Sequence, residues 1–210
     1  MEYITSSDFH FKDTAVALGK FEGIHRGHQL LMDEVKKQEL HGLRSVVFTF
    51  DRPTRLTLTG DTEYKQIYTK KERREILEKR GIDILIEHPF TKEFAALTPD
   101  RFIREVLVEK VGAKVIVVGT DFHFGKNRSG SITDLEKLEE ECGYHLIVVE
   151  KLQLNGKDIS STRIRASLEK GAMEEAKALL GRNYSVSGEI LHGNALGRTI
   201  QVPTINQQVP

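Results

Sequence analysis

The sequence predicts an α/β fold built on a doubly wound parallel sheet, and three observations carry that prediction. The strand candidates are continuous runs of Val, Ile, Ala and Leu rather than alternating patterns, which is how strands buried on both faces read. Helical stretches separate those runs, as in successive βαβ units. Two of the runs end directly on glycine, at Gly19 and Gly119, where a strand passes into a turn.

Taken in order, residues 15–18 form the first strand candidate and stop at Gly19. Residues 29–40 follow as a helix with Leu30, Leu31 and Val35 at helical spacing. Residues 45–50 read as the next strand. Lys70 to Lys79 is a charged amphipathic helix closed by Gly81, its charges forming a solvated face. Residues 82–86 give a strand, 99–111 a helix, and 115–118 a strand running into Gly119. A helix over 135–141 and a strand over 145–149 complete the alternation. Residues 160–180 are helical and polar. The character changes near Gly181. From Tyr184 onward the chain is rich in Gly and β-formers, with short strands expected at Val186, 189–191 and 199–202. We therefore divide the chain into residues 1–183 and residues 184–210. The second part falls below the ~40 residues that an unstapled domain needs to fold alone.

Lys+Arg and Asp+Glu balance at 31 each, for a formal net charge of zero. Nucleic-acid binding leans on an excess of positive charge, so that role is not expected. The single cysteine, Cys142, forms no internal disulfide and no paired-cysteine metal motif, which suits a reducing cytoplasm. The first twelve residues hold no apolar run of a secretory signal, and no stretch approaches the ~20 apolar residues of a membrane helix. The expectation is a cytoplasmic protein with no membrane association and no obligate protein partner.

Three segments carry chemistry. The first is Gly19-Lys20-Phe21-Glu22-Gly23-Ile24-His25-Arg26-Gly27-His28. A strand, a glycine turn and a helix start bring backbone N–H groups to a phosphate. His25 and His28 are three apart, so on a helix they share a face and can donate to phosphate oxygens. The same spacing suits a metal, which needs a third ligand that the local sequence does not offer, or an ordinary surface pair. The second segment, residues 118–130, packs Gly119, Asp121, Phe122, Phe124, Lys126, Arg128 and further glycines into one loop after a buried strand. The aromatics suit stacking on a flat ring, the cations suit phosphates, and Asp121 suits Mg²⁺ or a hydroxyl. A solvated loop with core phenylalanines fits the same composition. The third, residues 159–165, places Ser160, Ser161 and Thr162 ahead of a helix carrying Arg163 and Arg165. This is either a plain N-cap or an anion site.

The pattern Gly-x-His-x-Gly-His resembles the signature of the HIGH-type nucleotidyltransferases. The longer Gly-x-Phe-x-Gly-x-His-x-Gly-His is similar to the flavin branch, the bacterial bifunctional riboflavin kinase/FMN adenylyltransferases. That family usually has Asn where this chain has Lys20, and Asp where it has Glu22. The loop over 118–130 resembles the family's Val-Gly-x-Asp-Phe-x-Phe-Gly-x-x-Arg-x-Gly segment at every fixed position. Residues 159–165 are similar to its Ile-Ser-Ser-Thr-x-Ile-Arg motif. Phe50 and Asp51 match a stretch that helps receive the flavin, although the family's His-Pro pair is absent here and Arg52 is inserted. Residues 193–206 resemble the opening of the flavokinase β-barrel, where Thr204 and Asn206 match positions that hold Mg²⁺-ATP. The polypeptide ends at Pro210, before the family's catalytic glutamate of that barrel.

The resemblance implies a Rossmann-like domain over residues 1–183 and the first strands of a flavokinase barrel over 184–210. It implies FMN adenylyltransfer, FMN and ATP giving FAD and pyrophosphate with Mg²⁺. His25, His28 and Arg165 would be catalytic. Gly19, Lys20, Phe21, Gly27, Phe50, Asp51, Gly119, Asp121, Phe122, Phe124, Arg128, Ser160, Ser161 and Thr162 would bind ATP or flavin, and Asp121 would also approach Mg²⁺. Two other readings stay open: a nucleotidyltransferase with another phosphorylated acceptor, or a binding module without turnover.

Overall fold

The computed structural model describes residues 1–52, 65–191, 201 and 206–208. Six strands form one sheet: β1 (Glu2–Ile4), β2 (Thr14–Leu18), β3 (Arg44–Phe50), β4 (Ile84–His88), β5 (Ala113–Gly119) and β6 (His145–Val149). Their spatial order is β1-β4-β3-β2-β5-β6, and every neighbouring pair is parallel. The expected doubly wound parallel sheet is therefore present. β1 was not expected from the sequence. Three residues suffice there because β1 is an edge strand that pairs only with β4, Glu2 lying opposite Ile84.

Helices cover both faces: α1 (Arg26–Lys37), α2 (Lys70–Lys79), α3 (Pro99–Arg101, continuing in π form over Phe102–Lys110) and α4 (Ile132–Cys142). Side chains alternate along each strand, and the two sets meet different helices. Val16, Leu18, Phe48, Ile86, Ile116 and Val118 pack against Phe102, Ile103 and Leu107 of α3 and Leu135 of α4. Ala15, Ala17, Val47, Leu85, Val115 and Val117 pack against Leu31, Met32 and Val35 of α1 and Leu77 of α2. Two buried faces explain the unbroken apolar runs.

The expected helical stretch over 160–180 is two helices, α5 (Ser161–Glu169) and α6 (Met173–Leu180), broken at Gly171. Ile164, Leu179 and Leu180 form a third cluster with Ile67, Tyr68 and Ile159. Short antiparallel pairs join β7 (Gln153–Leu154) to β8 (Lys157–Asp158), and β9 (Glu189–Leu191) to β10 (Asn206–Gln208). Val186 lies outside any strand. Of the strand expected over 199–202, only Gln201 lies within the described residues, in a turn.

The strand order fixes where a ligand can enter. From β2 the chain adds β3 and β4 on one side, then crosses to place β5 on the other. Ala17 lies opposite Val117, so the carboxyl ends of β2 and β5 are neighbours. That is the topological switch point, where doubly wound sheets open a crevice. Gly19 and Gly119 both stand there.

One buried polar group braces the opposite half of the sheet. Glu87 of β4, 1% exposed, accepts hydrogen bonds from the Tyr3 hydroxyl and the Arg73 guanidinium. The Arg74 guanidinium lies over the Tyr3 ring, 3.4 Å from its centroid. Removing one partner of a buried ion pair leaves the other charge unpaired. Glu87→Gln should lower the unfolding free energy by about 3–5 kcal/mol. A urea titration checks this, with exposed Leu40→Gln as a control expected to change little. Equal midpoints for the two variants would show that the pair does not brace the sheet.

Candidate functional site

The glycine turn after β2 is held in an unusual backbone. Phe21 and Ile24 both sit in the left-handed region, at φ 47° and 43°, and both are fully buried. A β-branched residue there carries strain of about 1–3 kcal/mol. Burying an isoleucine side chain contributes about 1.5–3 kcal/mol, which offsets it. The turn is also pressed close to its neighbours. A Cβ at Gly23 would meet the Cδ1 atoms of Ile164 and Ile67 at 3.2 Å, and one at Gly27 would meet the His25 ring at 3.3 Å. These glycines serve the packing of the turn against α5 and of His25 against α1.

His25 caps α1. Its Nδ1 accepts the His28 backbone N–H at 3.2 Å, and the two imidazoles stack with centroids 3.7 Å apart and planes 14° apart. Phe21 packs against His28 in a tilted arrangement, 5.0 Å between centroids. In a neutral ring whose Nδ1 accepts, the proton stands on Nε2, so His25 presents a donor there. Burial, and then the Arg182 guanidinium, hold His25 down to about 4; Asp121 pulls weakly the other way. Burial and the adjacent His25 keep His28 well below its ordinary value. The His28 Nδ1 is buried with no partner among the described residues. No group of three or more His, Cys, Asp or Glu able to hold a metal exists among the described residues, so the metal reading of the histidine pair finds no third ligand.

The third segment meets this turn directly. Ser160 caps α5, its side chain accepting the Arg163 N–H at 3.3 Å. Ser161 Oγ lies 3.7 Å from the Cβ position of Gly23. Arg165 reaches Glu22 of the turn at 2.8 Å. Thr162 is exposed at the same helix start. Neither α1 nor α5 carries an acidic residue in its first turn, so neither helix supplies a carboxylate of its own to its positive end. Arg163 is spent on structure, bonding to Glu175 and to the carbonyls of Leu154 and Lys157.

The loop after β5 divides. Gly119 and Asp121 face the switch point: Asp121 is exposed, acts on the His25 charge, and pairs with Lys151 at 3.1 Å. The two phenylalanines turn inward. Phe124 is buried against Phe102 and stacks on Phe122, 5.5 Å between centroids. Arg128 is exposed on the far part of the loop. The carboxylate of the loop thus lies within electrostatic reach of His25, and Phe124 belongs to the core.

A cleft beside the turn is lined by Lys20, Glu22, Thr49, Asp51, Tyr68 and Arg73, among others. Phe50 lies in its wall and stacks edge-on against Phe90, 4.8 Å between centroids. Asp51 is engaged already: it accepts the Phe90 N–H at 3.0 Å and both bonds from Arg52 at 3.1 Å. Burial pushes its carboxyl up, but those bonds prevail and hold it below its ordinary value. The Tyr68 hydroxyl is buried near the Arg182 guanidinium, and burial raises its pKa. Thr204 lies outside the described residues. Asn206 opens β10, far in sequence from all of these groups, and is exposed.

Sequence reasoning missed Arg182, Gln29, Tyr68 and Lys151. Arg182 Nη1 donates to the Ile24 carbonyl at 2.7 Å and Nη2 to the Gly23 carbonyl at 2.9 Å. Gln29 Nε2 bridges the carbonyls of Ile24 and Leu180 at 2.9 and 2.8 Å. A lone arginine after a helix-closing glycine carries no sequence signal for such a role.

A family model for FAD synthetase matches residues 8–163, and one for riboflavin kinase matches residues 180–210. A bifunctional riboflavin kinase/FMN adenylyltransferase of Listeria monocytogenes is 34% identical over 208 residues, covering 98% of this chain and 66% of its own length. The protein of that name from Escherichia coli K12 is 34% identical over 193 residues, covering 91% of this chain and 61% of its own. The chain thus spans a little under two thirds of these curated relatives. A crystal structure of a Streptococcus pneumoniae protein, named there a macrolide-efflux protein, superposes with a TM-score of 0.89 at 31% identity, covering 100% of this chain and 69% of that one. No helix among the described residues is long and apolar enough to cross a membrane.

The buried histidines give a pH test. A base held neutral in the fold loses stability once the unfolded chain takes up its proton. The contribution is fully present above the unfolded value of 6.5 and is lost as pH falls toward about 4 for His25. His28 and His88, both also lowered by burial, act in the same sense. The urea midpoint of the wild type should therefore fall as pH drops from 6.5 toward 4. His25→Asn keeps a capping side chain without a titrating one and should fall less. An identical decline in both would remove His25 from this account.

Proposed function

This chain belongs to the FAD synthetase family, and from that premise we propose that it transfers AMP from ATP to FMN, giving FAD and pyrophosphate. The observation that carries the proposal is the convergence at the switch point. The histidine-capped start of α1, the Ser160 to Arg165 start of α5 and the Asp121 end of β5 meet around one strained turn.

In this reading an FMN phosphate oxygen attacks the α-phosphorus of ATP. A bond forms between them, the bond from the α-phosphorus to the bridging oxygen breaks, and pyrophosphate leaves with the electron pair. A phosphate monoester has its second pKa near ~6, so the attacking group needs no base. The chain's contribution is alignment and charge stabilisation. His25 donates from Nε2 to a non-bridging oxygen of the α-phosphate, and His28 supports it from the stacked position. The N–H groups at the start of α5, with Ser161, Thr162 and Arg165, receive the β- and γ-phosphates. Lys20 stands at the cleft mouth, where the family usually has asparagine, and adds a cation on the acceptor side. Phe50 and the cleft beside it would take the flavin. Asp121, exposed and paired with Lys151 at 3.1 Å, would be the carboxylate that approaches Mg²⁺. When bound, Mg²⁺ would neutralise charge between the phosphates. Residues 1–183 form the adenylyltransferase unit, and 184–210 the opening of a riboflavin kinase unit in which Thr204 and Asn206 would hold Mg²⁺-ATP. The single cysteine suits action in the reducing cytoplasm.

Incubation with FMN, ATP and Mg²⁺, followed by chromatography for FAD and an assay for pyrophosphate, tests the reading. Both products should appear in equal amounts. FMN bound in a titration without FAD would mark a binding module instead. His28→Ala should lower kcat by about 10²–10³-fold, as for loss of an aligned donor, while FMN affinity stays near that of the wild type. Unchanged kcat would remove His28 from the reacting centre.

A further inference from the structure

We infer that Arg182, seconded by Gln29, is a positioning residue that aims the backbone N–H groups of Ile24 and His25 at the phosphate site by gripping the carbonyls on their far side. The inference rests on the adenylyl-transfer reading for what the site binds, but its geometry stands apart from that reading.

A trans peptide group points its C=O and its N–H in opposite directions. The carbonyl of Gly23 shares its peptide plane with the N–H of Ile24, and the carbonyl of Ile24 shares its plane with the N–H of His25. Arg182 takes both carbonyls with the two ends of one guanidinium, Nη2 to Gly23 at 2.9 Å and Nη1 to Ile24 at 2.7 Å. Both N–H groups are thereby turned away from Arg182. Neither is given to a backbone carbonyl among the described residues. Gln29 Nε2 adds a second donor to the Ile24 carbonyl at 2.9 Å and ties it to the Leu180 carbonyl at 2.8 Å. Arg182 Nη1 also touches Leu180, at 3.3 Å.

The clamp acts where the backbone is least able to hold itself. Ile24 has φ 43°, a conformation that isoleucine leaves readily unless the surroundings fix it. The rigid planar fork of arginine suits two acceptors on adjacent peptides, and a lysine ammonium does not replace it. Arg182 is itself placed by the Tyr68 ring, 5.2 Å from its guanidinium carbon, and by the end of α6. It lies outside the match to the FAD synthetase model and inside the match to the riboflavin kinase model. The adenylylation site is therefore completed by a residue from the segment that leads into the second unit.

The experiment compares Arg182→Ala, Arg182→Lys and Gln29→Ala with the wild-type chain, each checked for fold by circular dichroism. Arg182→Ala should lose about tenfold or more in kcat, with KM for FMN within about twofold and KM for ATP raised. Arg182→Lys keeps the charge without the fork and should recover only part of kcat. An activity-free readout is the NMR titration of the His25 ring. The charged or titratable groups acting on it are Arg182, Asp121 and His28. Its midpoint should rise from about 4 in Arg182→Ala and return in Arg182→Lys. A kcat within about twofold of wild type in Arg182→Ala, or full recovery of kcat by lysine, would overturn the inference. An unmoved His25 midpoint in Arg182→Ala would overturn it as well. Should Arg182→Ala fail to fold, Arg182→Lys and Gln29→Ala decide the matter by kcat, which should fall in each; wild-type values in both would overturn the inference. Should the wild type make no FAD, the adenylyl-transfer reading fails, and hydrogen exchange at the Ile24 and His25 amides decides the clamp: it should quicken in Arg182→Ala and stay quickened in Arg182→Lys, and unchanged exchange in both would overturn the inference.

Discussion

The parallel pairing of β2 with β5 is the constraint on which the site depends. Both strands are buried on both faces, so neither can slip by one residue without exchanging the side chains of its two faces. Ala17 opposite Val117 fixes how far each strand extends, and so fixes Gly19 and Gly119 at neighbouring heights. The small side chains of Ala15 and Ala17 let α1 lie close to the sheet through Leu31, Met32 and Val35. That closeness brings the start of α1, and His25 with it, directly over the end of β2. A larger residue at either alanine would lift the helix and carry the histidines away from Asp121.

The turn that joins β2 to α1 is stable only because other elements hold it. Two buried residues in left-handed conformation cost about 2–6 kcal/mol between them, a large part of the ~5–15 kcal/mol that holds a domain folded. Opposing that cost are the burial of Phe21 and Ile24, the Arg182 and Gln29 bonds to the carbonyls, and the Glu22–Arg165 pair. Each support comes from a different part of the chain. The turn is therefore coupled to α5, to α6 and to the segment after α6. A pocket whose backbone donors are fixed in advance needs less rearrangement when an anion arrives.

The sheet was legible because its signal is redundant. Residues 45–50 and 115–118 read as buried strands from composition alone, and both are. β1 was not legible, since three residues at an edge leave no periodic trace. The break at Gly171 was hidden inside a polar stretch with helical spacing on either side. The three site segments were legible as motifs, but the direction of their side chains was not. Phe124 and Asp121 sit three residues apart, and one goes to the core while the other is exposed and pairs with Lys151. Composition permits both outcomes for either residue. Arg182 was the hardest to see, because its partners are backbone carbonyls 158 and 159 positions away. A main-chain acceptor leaves no mark in a sequence.

The histidine pair shows how charge is apportioned in the site. Two imidazolium rings 3.7 Å apart would repel by about 4 kcal/mol even in a moderately polarisable surface environment. Burial adds to the penalty, and the Arg182 guanidinium adds more for His25. The rings are thus neutral at pH 7 and supply directed N–H bonds rather than charge. Positive charge is provided instead by the guanidinium groups of Arg165 and Arg182 and by the two helix starts that lack an acidic residue. That division lets a chain with zero formal net charge gather guanidinium groups and helix starts at one place without a general excess of basic residues. For the proposed reaction, whose attacking phosphate is already ionised, fixed donors and fixed charges are what is needed, and a titrating histidine would only weaken the site as pH changed.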